Sequence, residues 1–165
     1  MVTDRADGLP RYLKESSDAY RLSLAAMASC SIPVLNAPVE LDGRHDYDGG
    51  VGDSIPVGRA LAKGYGKVVV VLTRRAGVYP RVGTKAQAAY RVFFRHYPQF
   101  RDALLSRPDR YRAQVTLLNR LEAQGRDAVK QYLRENPELA ASYYRHGYTR
   151  MAALWPELQA FLNGK

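Results

Sequence analysis

Hydrophobic and polar positions follow two different patterns along the chain. Up to about residue 83 the apolar segments are short, rich in β-branched residues and separated by Gly and Pro, whereas beyond Thr84 apolar residues recur at helical spacing. Short β-branched runs favour strands, and helical spacing places apolar side chains on one face of a helix. The pattern predicts an α/β first part, residues 1–83, and a helical second part, residues 84–165.

Two local signals stand out early in the chain. Small and apolar residues at helical spacing follow Asp18, a good N-cap residue, and predict a short helix that Pro33 ends. Residues 38–41 and 44–47 lie on either side of Asp42 and Gly43. These two residues supply the positive φ that a tight hairpin turn needs. We therefore expect a helix followed by a β-hairpin.

The first part closes with a helix and a strand. Pro56 suits the first turn of a helix, and Gly64 ends it. Residues 67–73 form an apolar run without alternation, which is typical of a strand buried on both faces of a parallel sheet. Such a strand needs neighbours, so the sequence predicts self-association through an exposed sheet edge where they are missing.

Proline and glycine divide the helical second part. Proline favours the first turn of a helix and glycine its end. A helix is predicted to begin at each of Pro98, Pro108, Pro137 and Pro156, and a helix to end at each of Gly125, Gly147 and Gly164. A core stripe is predicted at the apolar residues Tyr111, Val115, Leu118 and Leu121.

Composition narrows the class of protein. The 165 residues are 46% hydrophobic and 25% charged, which fits one globular domain and excludes a disordered tail. The single Cys30 excludes a disulfide scaffold, and no apolar run approaches the roughly 20 residues that span a bilayer. No secretory signal pattern follows Met1, so we expect a cytoplasmic protein.

The positive charge lies mainly in the second half. Residues 1–83 carry a net charge of +2 and residues 84–165 carry +7, within a total of +9. A basic helical surface suits anionic lipid, nucleic acid or acidic partners, although a solvated face is the simpler interpretation. The candidate patch consists of arginines with interleaved aromatics: Arg91, Arg95, Arg101, Arg107, Arg110, Arg112, Tyr90, Phe93, Tyr97 and Tyr111.

Several site motifs fail when they are tested against residues 42–56, which hold four carboxylates and four glycines. An EF-hand loop would place Arg44 and Ile55 at ligand positions, and a dinucleotide fingerprint would need glycine at Ile55. Gly66-Lys67 lacks the Ser or Thr and the following helix of a phosphate-binding loop. His45, His96 and His146 show no metal-ligand spacing, so we expect neither a metal nor another cofactor.

Asp48, Gly49 and Gly50 remain as the candidate site. Asp48 closes a predicted strand, and the glycines let the backbone turn away, which exposes a carboxylate at the rim of a sheet. Asp48 is then either a catalytic acid or base, or the acceptor of an Asx turn that merely satisfies backbone amides. The residues alone leave both interpretations open.

Four segments together resemble a known family. In order, spacing and identity they look like the C-terminal part of a bacterial patatin-like phospholipase, with fainter similarity in the later helices. The segments are residues 28–33 (ASCSIP), 38–43 (PVELDG), 47–57 (YDGGVGDSIPV) and 68–74 (VVVVLTR), with 2–4 and 8–10 before them.

The resemblance implies a partial three-layer α/β/α unit and a serine acyl hydrolase with a Ser-Asp dyad. Asp48 maps onto the family's dyad Asp, which takes a proton from a Ser on a Gly-x-Ser-x-Gly elbow that attacks a lipid ester. No Gly-x-Ser-x-Gly occurs in this sequence: Ser54 is followed two residues later by Pro56 instead of glycine. We therefore expect the C-terminal part of such an enzyme, through truncation, a late start site or gene decay, that is inactive alone.

Domains and partners follow from the same resemblance. Residues 1–83 are expected to belong to the catalytic domain and residues 84–165 to be a helical extension that packs on it. After Gly125 the family continues into a strand, whereas residues 126–135 of this chain predict a helix. The expected partners are a lipid or other acyl-ester substrate and anionic membrane at the Arg-rich half, without nucleic acid. The alternative is a non-catalytic basic protein that binds anionic membrane or nucleic acid.

Overall fold

The computed structural model describes residues 1–14, 17–65, 68–72, 74, 77–123, 128–132, 149, 152–157, 159–161 and 163. The chain divides into two compact units, each made of two stretches. The first comprises Met1–Pro56 and Tyr79–Thr116, and the second comprises Val57–Val78 and Leu117–Lys165. The division into residues 1–83 and 84–165 stays a prediction.

A four-stranded antiparallel sheet organises the first unit. Its strands are ordered β2-β1-β4-β3, so β1 and β4 lie at the centre. In the β1–β4 ladder Val2 is opposite Asp48 and Asp4 is opposite Asp46. The strands are β1 (Val2–Asp4), β2 (Pro10–Arg11), β3 (Val39–Leu41) and β4 (Arg44–Asp48).

The predicted hairpin is confirmed as β3–β4. Its turn residues Asp42 and Gly43 have φ of 57° and 70°, the left-handed region that two-residue hairpin loops require. Asp tolerates this region because its short polar side chain can bond to nearby backbone, and Gly has no Cβ to clash. The local sequence therefore sets the hairpin that carries Asp48.

The predicted first helix is also confirmed. Helix α1 spans Ala19–Ser29 and begins at the N-cap Asp18, whose side chain accepts a hydrogen bond from the Arg21 amide. This bond satisfies one of the helix's free amides. The chain then turns at Pro33 before it enters β3.

Two helices complete the first unit, the second of them only as far as Thr116. Helix α3 spans Thr84–Phe93, and helix α4 spans Pro98–Ala123, which begins at a predicted proline. The predicted helix start at Pro108 is wrong because Pro108 lies inside α4. An internal proline removes one backbone hydrogen bond, and the Arg110 guanidinium bonds to the Ala103 carbonyl across this turn.

The core of the first unit is aromatic. Phe100 is fully buried, and its ring centroid lies 5.1 Å from that of Tyr47 and 5.0 Å from that of Phe94. Val51 and Leu104 are buried in the same cluster. Along α4, whose residues from Leu117 belong to the second unit, the predicted stripe is confirmed as core at Tyr111, Val115 and Leu118, whereas Leu121 is only half-buried.

The second unit contains helix α2 (Val57–Ala62) and the strands β5 (Val68–Leu72) and β6 (Ala128–Tyr132). The predicted helix after Pro56 is confirmed, and β5 pairs with β6 in parallel. The predicted helix over 126–135 is wrong, because residues 128–132 form a strand along β5. Burial of β5 on both faces is wrong as well, because Val71 is 44% exposed.

A small sheet with helices confirms the predicted α/β class. Residues 152–157 are helical and include Pro156 within the helix rather than at its start. Predictions for Gly125, Pro137, Gly147 and Gly164 lie outside the described residues. Among the helices described, none combines the length and apolar character needed to cross a membrane.

Candidate functional site

Asp48 is the last residue of β4 and the N-cap of a short 3-10 turn at Gly49–Val51. Its backbone amide donates to the Ser31 carbonyl at 2.9 Å. Its carboxylate Oδ1 accepts a hydrogen bond from the Gly50 amide at 2.7 Å. The structure places the Asp48 carboxylate at the end of the strand, at the rim of the sheet, as the sequence predicts. Asp48 is half-buried there.

The two glycines serve close packing rather than positive φ. Neither Gly49 nor Gly50 has a left-handed backbone, so the predicted reason for glycine at these positions is wrong. A Cβ at Gly49 would lie 2.5 Å from the Met1 carbonyl oxygen, and a Cβ at Gly50 would lie 3.2 Å from Asp48 Oδ1. Glycine at 49 lets the turn approach the first strand, and glycine at 50 keeps the side of the Asp48 carboxylate open.

Thr3 fixes the backbone around the turn. Its hydroxyl oxygen lies 2.9 Å from the Asp48 carbonyl and 3.2 Å from the Gly49 carbonyl, and it accepts from the Gly52 amide at 3.0 Å. Thr3 is fully buried, where unmet polar groups are costly, and this one hydroxyl serves three backbone groups. Sequence reasoning did not identify Thr3 as a site residue, because its partners are about 45 residues away.

Ser54 and Arg107 form the other side of the turn. The Ser54 hydroxyl donates to the Gly50 carbonyl at 2.7 Å, and Arg107 Nε donates to Ser54 Oγ at 3.3 Å. A Cβ at Gly50 would also lie 3.5 Å from Arg107 Nη2. Gly50 therefore separates the Asp48 carboxylate from an exposed guanidinium, a neighbour that the sequence did not predict.

Helix α4 holds the loop after the 3-10 turn through two long polar side chains. Arg110 donates to the Val51 carbonyl, and burial lowers the pKa of its guanidinium. Gln114 Oε1 accepts from the Ile55 amide at 3.1 Å, and its Nε2 donates to the Asp53 carboxylate. Arg110 was predicted to belong to a basic surface patch, but it is half-buried and bonded to backbone.

These contacts define what the site can do chemically. Asp48 presents a carboxylate in a fixed orientation at the end of β4, because one of its oxygens is anchored by the Gly50 amide. The Ser54 hydroxyl donates to the Gly50 carbonyl and accepts from Arg107. These hydrogen bonds do not join Ser54 to Asp48 as a nucleophile and its base. In the described part of the chain no three His, Cys, Asp or Glu side chains are grouped to hold a metal ion.

Comparison with known proteins points to one family. No curated protein matches the chain. The family model that matches is that of the patatin-like phospholipases, over residues 3–61, in the N-terminal half of this chain. The match includes β1 to β4 and Asp48-Gly49-Gly50 but ends before β5, so the resemblance at residues 68–74 and in the later helices lies outside it. Whether residues 3–61 are the C-terminal part of the family's domain stays a prediction. By this match, residues 3–61 are similar to the patatin-like phospholipases, a family of lipid acyl hydrolases.

Proposed function

We propose that this chain contributes the catalytic Asp48 to a lipid acyl hydrolase that works with a Ser-Asp dyad. The observation that carries the proposal is the position of Asp48 within the matched segment. It ends a central strand of the sheet, and its carboxylate is held at the rim by the Gly50 amide. This is the placement that a general base needs, because geometry decides proton transfer before the pKa does.

The two oxygens of the Asp48 carboxylate have different surroundings. Oδ1 is anchored by the Gly50 amide, whereas Oδ2 accepts no hydrogen bond from the residues that the structure describes. A base of this kind keeps its orientation through one oxygen and receives the proton of a Ser hydroxyl on the other. Glycine at 50 leaves room beside the anchored oxygen, because a Cβ there would lie 3.2 Å from Asp48 Oδ1.

The nucleophile of the proposed dyad is not in this sequence. No Gly-x-Ser-x-Gly occurs in residues 1–165, and Ser54 is engaged with the Gly50 carbonyl and Arg107. We therefore propose that the Ser, and the amides that stabilise the oxyanion, come from residues outside this sequence. Nucleophile and oxyanion donors provide the largest catalytic contributions, so residues 1–165 alone are inactive under this proposal.

The proposed substrate is a lipid acyl ester. Arg107 lies beside Gly50 with its guanidinium exposed, where it can contact a phosphate or carboxylate of the substrate near Asp48. Arg is well suited to this because its planar donors match an oxyanion in a bidentate manner. Peripheral contact with anionic membrane is part of the same proposal.

Turnover of a short-chain p-nitrophenyl ester tests the proposal. The purified chain is assayed alone and as the product of any longer reading frame that restores an upstream Gly-x-Ser-x-Gly. The longer protein should hydrolyse the ester, and Asp48→Asn should lower kcat by about 10²- to 10⁴-fold, because an amide cannot take the proton.

Asp53→Asn is the matched control. Asp53 lies in the same loop, but its carboxylate is engaged by Gln114 and Tyr12 rather than placed at the rim. Its replacement should leave kcat within a few-fold of wild type. Activity of residues 1–165 alone that survives Asp48→Asn would overturn the assignment. Salt-sensitive vesicle binding without any esterase activity in the longer protein would favour the non-catalytic basic protein instead.

A further inference from the structure

A cavity of about 330 Å³ lies in the first unit, on the side of β4 that Tyr47 faces. Alternate residues of a strand point to opposite faces, so Tyr47 points away from the face that carries Asp46 and Asp48. The cavity is therefore separate from the candidate catalytic site. Arg5 and Asn36 give part of its lining a polar character. The other lining residues are mostly apolar or aromatic and include Val34, Leu35, Tyr47, Phe93, Phe94 and Tyr97.

Arg5 brings one full positive charge to this wall. Its guanidinium carbon lies 4.3 Å from the centroid of the Tyr97 ring, which fixes the side chain by a cation–π contact. Its Nε is buried without a hydrogen-bond partner. None of the described residues places a carboxylate within ion-pair distance of this guanidinium, whereas Arg11 and Arg44 both have acidic partners. A guanidinium that has no carboxylate partner and borders a cavity can bind an anion there.

Tyr47 and Tyr97 add phenol groups near the same charge. Burial raises the pKa of the Tyr47 phenol, the Arg5 cation lowers it, and the neighbouring Tyr97 phenol raises it again. Arg5, Tyr47 and Tyr97 all line the cavity, and the Arg5 guanidinium carbon lies 4.3 Å from the Tyr97 ring centroid, so both phenol rings and the cation border the same space. Phenol O–H and guanidinium N–H groups are all donors, which suits the oxygens of an anion.

The backbone of Val34, a residue that lines the cavity, has an unusual conformation. Val34 is the third residue of a turn over residues 32–35 and has a φ of 76°, a conformation that a β-branched residue rarely adopts. Glycine or asparagine is the usual choice there, since Pro33 precedes it as in a type II turn. Strained backbone of this kind clusters at ligand sites, and here it places an apolar side chain against the cavity.

We infer that this cavity binds a medium-chain carboxylate, with the carboxylate on Arg5 and the two phenols and the alkyl chain between the apolar walls. A carboxylate fits better than a phosphate because one guanidinium neutralises one negative charge and bonds to two oxygens in a bidentate manner. The apolar walls and a volume of about 330 Å³ suit a short alkyl chain.

Calorimetric titration of the chain with sodium octanoate tests the inference, with 1-octanol and inorganic phosphate as comparison ligands. Octanoate should bind, octanol should bind at least about tenfold more weakly because it lacks the charge, and phosphate alone should not bind detectably. Equal affinity for octanoate and octanol, or no octanoate binding, would overturn the inference.

Variants separate the charge from the packing. Arg5→Gln should lower octanoate affinity about tenfold or more. It should lower the melting temperature no more than Arg112→Gln does, because each variant loses one contact between a guanidinium and a tyrosine ring. Arg112→Gln is the matched control, since Arg112 also lies over a tyrosine ring, that of Tyr79 at 5.2 Å, but outside the cavity. Val34→Gly should weaken octanoate binding while it relieves the turn. Unchanged octanoate affinity in Arg5→Gln would contradict the inference.

Discussion

The two faces of the central sheet are built from different chemistry. On one face Asp4 and Asp46 lie directly opposite each other in the ladder, and their charges are offset by Arg44 and Arg11. On the other face Tyr47 packs edge-on against Phe94 and at a tilt against Phe100. Strand β4 separates these environments residue by residue, because its side chains alternate between the faces.

The aromatic face stabilises the fold, and the charged face leads to the candidate site. Burying Asp46 completely costs desolvation that its ion pair with Arg11 only partly offsets, and Asp46 Oδ1 has no hydrogen-bond partner. The aromatic cluster buries apolar surface without such a cost. The charged face ends at Asp48, so stabilising packing and candidate chemistry lie on opposite sides of the same strand.

The largest effect is expected on the aromatic face. Phe100→Ala removes a fully buried ring from the cluster and should lower the free energy of unfolding by about 3–5 kcal/mol. Phe93→Ala, at a ring that is 63% exposed, should change it by no more than about 0.5 kcal/mol. Urea denaturation followed by circular dichroism measures both. Similar losses in the two variants would show that the cluster is not the source of stability.

A smaller effect is expected on the charged face. Arg11→Gln leaves Asp46 buried without its cation and should cost about 2 kcal/mol at pH 7, less than a fully buried pair because Asp46 can take up a proton. Arg44→Gln should cost clearly less than Arg11→Gln, because the Arg44 side chain is 54% exposed and water screens its ion pair with Asp4. The same denaturation experiment compares them. A larger loss in Arg44→Gln than in Arg11→Gln would reverse the assignment of the buried pair.

Features set by neighbouring residues could be predicted from sequence. The hairpin depends on the positive φ of Asp42 and Gly43, and α1 begins at Asp18, whose own carboxylate caps it. Both are decided within four residues, where turn and capping preferences are strong. Asp48 was predicted as the candidate residue for the same reason, because a strand, an acid and two glycines follow one another.

Features set by distant contacts could not be predicted. Residues 128–132 have helix-forming neighbours but form a strand, because they pair with β5, 60 residues earlier in the chain. Pro108 favours a helix start locally but lies inside α4, where a guanidinium bonds to the preceding turn. Tertiary pairing outweighs helix propensity at residues 128–132, whereas the contact near Pro108 lies within α4 itself.

The surroundings of Asp48 also escaped prediction. Thr3 and Arg107 reach the 3-10 turn from 46 residues before and from helix α4, and no local motif marks either one. Gly49 illustrates the limit: the sequence predicts that glycine is needed, but the reason is contact with Met1 rather than positive φ. A motif can therefore identify the candidate residue while its neighbours depend on the fold.

The smallest effect is expected from pH, and it compares the two aspartates of the charged face. Burial raises the pKa of Asp46 above its ordinary value of 3.8, so the folded protein binds this proton more tightly than the unfolded chain. Burial alone would raise the pKa of Asp4 as well, but the Ala6 amide and Arg44 outweigh it, and the pKa of Asp4 is lowered from 3.8. The two carboxyls therefore affect stability with opposite sign.

The stability that Asp46 contributes is greatest below its unfolded pKa and is lost as pH rises through its folded pKa. The stability that Asp4 contributes is present above its unfolded pKa and is lost as pH falls through its folded pKa. Asp46→Asn should therefore flatten the fall in stability as pH rises from 4, and Asp4→Asn should reduce the fall below pH 4. Melting temperatures of both variants and the wild type from about pH 3 to 7 measure these slopes. If Asp46→Asn steepened the fall above pH 4 instead, Asp46 would be better paired by Arg11 than its burial indicates.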